Sequence, residues 1–257
     1  MPAARLKDMS RRRDLKLGSM VLEFATPGIG EILKGAGCDF AFFDMEHSGF
    51  SFDTVKATLK YFQAADLPTI VRVPCKDYDQ IARLGDVGAE GFMTPFTSTV
   101  EEVRHILNSL KYVPLGRRGV VVQSAVDHYT GGPVVPKMKA HNERTTYFAL
   151  IETKEGVQNA DAIAAIDGVD CLWIGHFDLS CSLGIPGQFD HPDFIAACDA
   201  VVKAAKKHNR ALGRLTATIE EGHVLRKQGY DFICYSGDIW ALQAHVKTGI
   251  DAIRAGA

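Results

Sequence analysis

The chain has 257 residues, of which 46% are hydrophobic and 23% charged, and 29 Lys+Arg against 31 Asp+Glu leave a net charge of −2. A balance so close to neutral provides no broad field to draw nucleic acid or an anionic membrane surface, so neither is expected as a partner. No run approaches the roughly 18 apolar residues of a membrane span, and the length suits one domain over 1–257, close to the roughly 250 residues of a (β/α)8 TIM barrel.

Residues 1–15 read as a polar N-terminal arm containing Arg11, Arg12 and Arg13. No apolar stretch follows them, so a secretory signal is not expected. The six cysteines, Cys38, Cys75, Cys171, Cys181, Cys198 and Cys234, show neither C-x-x-C nor zinc-type spacing. They are read as buried, reduced thiols of a cytoplasmic protein, with a cysteine nucleophile as the alternative.

Eight strand-like runs follow in order: Leu17–Phe24, Phe40–Asp44, Thr69–Val73, Gly91–Thr94, Tyr147–Glu152, Cys171–Ile174, Ala211–Leu215 and Phe232–Tyr235. Helix-length amphipathic segments separate them. One places Val55, Leu59 and Phe62 on one face, another opens at Ser98-Thr99 with acidic residues in its first turn, and the last runs from Trp240 to Ile253. Strands alternating with helices predict right-handed crossovers and a parallel sheet, here closed into a barrel. Residues 112–146, rich in Gly and Pro, are expected to form a long loop over the active-site rim.

The carboxyl ends of the strands carry the chemistry. Active sites of such barrels lie on that face. Glu152 and Asp178 end successive β-runs and could seat Mg2+, Mn2+ or Co2+ through hard oxygen ligands. Asp44, Glu46 and His47 follow the second strand, where a histidine suits proton transfer near neutral pH. Arg72 ends the third strand and needs a partner, Asp44 or Glu46, unless it binds an anion. Asp86 precedes the fourth strand, at the far end of its own barrel, so any part in an active site would be played in a neighbouring subunit. The glycine-rich "IGHFDLSCSLGIPGQ" could turn backbone N–H groups toward an anion near Asp178.

These motifs, "FFDMEH", "VRVP", "LGDVGAEG", "IETKEG" and "IGHFDLS", resemble the HpcH/HpaI aldolase family from about Leu17 to Ile253. The resemblance implies a class II aldehyde-lyase that cleaves a 4-hydroxy-2-oxo acid reversibly to pyruvate, or a related 2-oxo acid, and an aldehyde. It implies a divalent metal on Glu152 and Asp178 that stabilises an enolate. Arg72 would bind substrate, with Gly175, His176, Phe177 and Asp178 around it. His47, oriented by Asp44, would move the 4-hydroxyl proton through a water. It also implies a homo-oligomer, a hexamer built as a trimer of dimers or a dimer of trimers, with an exchanged C-terminal helix and with Asp86 reaching the adjacent subunit's site.

The chain departs from the family pattern at Leu150, where a glutamine is usual, at His176, where a proline is usual, and in "VVQSAVDHY", which lacks the usual arginine. Three other readings compete. A Schiff-base aldolase would use Lys154. An acyl-CoA lyase of the citrate-lyase β-subunit type would need a basic patch, for which Arg117 and Arg118 are the candidates. A non-catalytic binding protein would keep the barrel and lose part of the rim set.

Overall fold

The computed structural model describes residues 5–256. Eight parallel strands among them close into one barrel in chain order: β1 Lys16–Val21, β2 Phe40–Asp44, β3 Thr69–Arg72, β4 Gly91–Thr94, β5 Thr146–Ile151, β6 Cys171–Ile174, β7 Ala211–Thr216 and β8 Phe232–Gly237. β8 pairs with β1 to complete the ring. The helices are α1 Arg5–Arg11, α2 Ile29–Gly35, α3 Phe52–Ala64, α4 Tyr78–Asp86, α5 Val100–Leu110, α6 Val134–Arg144, α7 Lys154–Ala164, α8 His176–Ser182, α9 Pro192–Lys207, α10 Ile219–Gln228 and α11 Asp238–Ala255. Thr99 caps α5, and Glu102 returns the bond to form a capping box. No helix among the described residues is long and apolar enough to cross a membrane.

Strand side chains alternate, and the two faces feed two cores. Phe43, Val71, Ala149, Leu172 and Ile233 face the helices. Phe40, Phe42, Ile70, Met93, Phe148, Trp173 and Phe232 fill the barrel. Trp173 meets Phe42 edge-on at 5.6 Å between ring centres and Phe148 at 6.4 Å, an arrangement favoured by the aromatic quadrupole.

Two segments differ from the sequence reading. The expected polar arm carries α1, whose Leu6 and Met9 join the inner cluster and stop the amino-terminal end of the barrel. Lys7 Nζ pins it to Asp170 at 2.6 Å, and Arg13 clasps both oxygens of Asp231 at 2.9 and 2.7 Å. Only the charged rim of this short helix faces water, so its polar composition concealed a buried stripe.

Residues 112–146 lie against the outside of the barrel rather than over the rim. They contain a 3-10 turn, Ala125–Asp127, and α6. The Gly119 N–H donates to Tyr78 Oη on α4 at 2.8 Å, Arg118 reaches Asp86 at the end of α4, and His128 Nδ1 meets Gln63 Nε2 on α3 at 2.7 Å. Buried Lys111 donates to the Thr145 carbonyl. The segment therefore uses its polar groups to line the α3–α4 flank. The cysteines are all free, but Cys181 is exposed and only Cys171, Cys198 and Cys234 are buried.

Candidate active site

Asp44 and Arg72 are register partners on β2 and β3, so their inward side chains stand side by side. Asp44 is fully buried and accepts from Arg72 Nε and Nη2, both at 2.7 Å. The remaining Nη1 lies 3.1 Å from Glu46 Oε2. Asp44 also accepts the Glu46 N–H at 3.0 Å and the His47 N–H at 3.4 Å, which ties down the turn after β2. Asp44 thus positions the backbone of His47, while the carboxylate beside the imidazole is Glu46, 3.8 Å from Nε2. The His47 side chain is 59% exposed and open to solvent or substrate.

Glu152 follows β5 and is 2% exposed. Its Oε1 accepts the Phe96 N–H at 2.6 Å. Phe96 has φ +51°, a left-handed backbone that costs a non-glycine residue about 1 kcal/mol. That turn aims the amide at the carboxylate. Oε2 faces Gly175, which follows β6, and a Cβ on Gly175 would stand 2.3 Å from it. Glycine is therefore required for Glu152 to hold its place.

Burial pushes the Glu152 carboxyl up to about 8; the Phe96 N–H opposes this, and Asp178 and Glu46 reinforce it. Glu46 is likewise raised, by burial first, with Arg72 and His47 opposing and Asp44 and Asp178 adding to it. Four carboxyl groups therefore share one field with a single guanidinium. Asp178 lies in the first turn of α8, partly exposed.

The other expected site residues lie apart from this group. His176 is buried against Phe177 and Phe189, at 4.5 and 5.2 Å between rings. Burial, then the Arg214 charge, lowers its pKa to about 4. Its ring packs under α8. Phe177 is largely exposed. Asp86 ends α4 at the opposite end of the barrel and pairs with buried Arg118 at 2.6 Å. Arg118 also touches His141 at 3.2 Å, so it is not part of an open basic patch. Lys154 is exposed in the first turn of α7. Leu150 lies in the inner cluster with Phe42 and Trp173.

Phe96 was missed at the sequence level. Its contribution is an N–H and a backbone angle, and no side-chain motif announces either.

The chain matches the family described as HpcH/HpaI aldolase/citrate lyase over residues 19–242. A 5-keto-4-deoxy-D-glucarate aldolase of Shigella boydii is 31% identical over 224 residues, 87% of this chain and 86% of that protein. The crystal structure of an HpcH/HpaI aldolase from Desulfitobacterium hafniense is 31% identical and matches with a TM-score of 0.91, covering 97% of this chain and 96% of that one. An HpcH/HpaI aldolase/citrate lyase family protein from Burkholderia cenocepacia matches with the same TM-score at 28% identity, over 98% and 100% of the two chains. Barrel, rim motifs and full-length likeness agree: the chain belongs to the HpcH/HpaI aldolase/citrate lyase family.

Proposed function

We propose that the chain is a divalent-metal-dependent aldehyde-lyase, cleaving a 4-hydroxy-2-oxo acid reversibly to pyruvate, or a related 2-oxo acid, and an aldehyde. The observation that carries this reading is the surplus of carboxyl groups over cations at the rim, with Glu152 raised to about 8 beside Asp178 and Glu46. Such a donor set would suit a hard dication, Mg2+, Mn2+ or Co2+. Glu152 and Asp178 would hold it. Among the described residues no group of three or more His, Cys, Asp and Glu side chains forms a metal cluster. What the ion supplies is positive charge against the enolate oxygen left by carbon–carbon cleavage.

The chain's own groups do the rest. Arg72, held rigid by Asp44 and Glu46, presents the guanidinium that binds the substrate's 2-oxo acid end. His47, through a water, takes the proton of the 4-hydroxyl as the C3–C4 bond breaks. The bonding pair passes to C3, and protonation there yields the 2-oxo acid. In synthesis His47 returns its proton to the new hydroxyl.

A homo-oligomer, with a hexamer as the expected size, belongs to the same reading. α11 buries none of its residues within the chain and leaves Leu242, Val246 and Ile250, beyond its first turn, exposed. An apolar stripe of that length favours exchange with another copy. Asp86, tethered by Arg118, would then serve the adjacent subunit's site.

The test is pyruvate release from a panel of 4-hydroxy-2-oxo acids by metal-stripped protein, with and without Mg2+, Mn2+ or Co2+. Release that depends on the metal is expected. Metal-independent release would replace the reading with an imine at Lys154, and no release would overturn it.

A further inference from the structure

The inner wall of the rim is divided. β2, β3 and β5 supply Asp44, Arg72 and Glu152 to one side. β1, β7 and β8 border the other, where three large apolar side chains stand among the uncharged and acidic groups of the rim. Leu22, just after β1, and Leu215 on β7 both pack on the inner-barrel cluster. Trp240, in the first turn of α11, is 44% exposed. Its ring and the Leu22 side chain both lie over Gly237, where a Cβ would stand 2.9 Å from Trp240 Cε3 and 3.1 Å from Leu22 Cδ1.

Among the described residues of this chain, this side carries no usable cation. The basic residues of β1, β7 and β8 are Lys16 and Arg214. Lys16 sits at the opposite end, paired with Asp14 at 2.7 Å. Arg214 is turned toward α10, where it bonds Glu221 at 2.7 Å. The connections that follow these strands, 22–28 and 217–218, contain no lysine or arginine, and Gly237 leads into the acidic Asp238. The Asp238 carboxylate is itself engaged by the N–H groups of Leu22, Glu23 and Phe24.

Arg72 is occupied on two edges by Asp44 and Glu46, and in the proposed reaction it serves the 2-oxo acid. The aldehyde must then lie on the free side, toward His47, which follows β2, the hydrogen-bonded neighbour of β1. A carboxylate buried there would lose water and gain no partner, at a cost of several kcal/mol. A hydrocarbon chain would gain about 0.8 kcal/mol for each CH2 it buries.

We propose that Leu22, Leu215 and Trp240 form the subsite for the aldehyde half of the substrate, and that this aldehyde is uncharged with an apolar chain. This rests on the reading of the chain as a pyruvate–aldehyde lyase. The substrate cleaved is accordingly a 4-hydroxy-2-oxo acid with an apolar tail and a single carboxylate.

The test pairs pentanal with 5-oxopentanoate, which differ only in a terminal methyl against a carboxylate, in aldol addition to pyruvate with Mg2+ or Mn2+ present. Exchange of the pyruvate methyl protons in D2O, without aldehyde, is measured alongside. Exchange should proceed, and pentanal should be favoured in kcat/KM on the order of tenfold or more. Leu22→Lys should narrow or reverse that preference. Normal exchange with 5-oxopentanoate used as well as pentanal would overturn the subsite alone. Absence of exchange would overturn the proposed function and the subsite together.

Discussion

Arg72 and Asp44 meet across neighbouring strands in a two-pronged pair, Nε on Oδ1 and Nη2 on Oδ2, each at 2.7 Å. Both are buried, and Glu46 stands 3.1 Å from the remaining Nη1. Such a pair is costly to break from one side, because the survivor keeps its charge without a partner. Asp44→Ala should therefore cost about 3–5 kcal/mol of unfolding free energy as well as activity. Arg72→Ala should abolish aldol turnover and also destabilise. Urea titration of both variants measures this, and wild-type midpoints would mean that the pair is not the anchor of the rim.

Metal affinity should depend on pH through Glu152. Its carboxyl, raised to about 8, is largely protonated at pH 7 in the metal-free protein. A cation must displace that proton, so affinity should weaken about tenfold for each pH unit below 8 and level off above it. The same shift bears on stability. A carboxyl raised from its ordinary 4.5 contributes most below that value, and the contribution is lost as pH rises through about 8. Calorimetric titration with Mn2+ from pH 6 to 9 checks the first point, and the pH slope of Tm in Glu152→Gln checks the second. A flat affinity profile would remove Glu152 from the ligand set.

Gly175→Ala should act through Glu152. The added methyl would stand 2.3 Å from Oε2, so the carboxylate must swing away from the Phe96 amide. Cation affinity should fall at least tenfold, about 1.4 kcal/mol, with a smaller change in fold stability. Mn2+ binding followed by electron spin resonance gives the readout, and unchanged affinity would show that the carboxylate has another place to sit.

His47→Ala should separate two half-reactions. The side chain is well exposed, so stability should move by less than about 0.5 kcal/mol. Cleavage of the hydroxy acid should slow by about 10²–10⁴. Pyruvate proton exchange, which has no 4-hydroxyl to deprotonate, should slow far less. Equal losses in the two assays would argue against a role at that hydroxyl.

Asp86 lies at the end of the barrel away from its own rim. If it works in the adjacent subunit, Asp86→Ala and Glu152→Ala should each be inactive alone yet recover part of the activity when mixed and reassembled. Mixed oligomers that stay inactive would confine Asp86 to its ion pair with Arg118.

The eight strands were legible because each is a short apolar run with a helix-length stretch after it, and three of them, β2, β4 and β6, have the bounds expected from sequence. The charged residues of the rim were legible as types at strand ends. Their partners were less so. That Glu46, rather than Asp44, stands beside the His47 ring depends on a turn held by backbone N–H groups. The place of His176 depends on Phe189, which no local pattern links to it. The α1 plug and the flank formed by residues 112–146 owe their positions to distant surfaces, Asp170 and Asp231 in one case and α3 and α4 in the other.

The plug also constrains how the chain comes together. Arg13 and Asp231 are 218 positions apart, and the seat for Leu6 and Met9 includes Phe232 on β8. α1 leaves the ribosome well before that seat exists, so it must wait until the last strand is made. Contacts of such sequence separation fold slowly, and the open amino-terminal mouth of the growing barrel stays sticky in the meantime. Slowing translation ahead of β8 should therefore lengthen the period in which nascent chains need chaperones, even though every element before it is already complete.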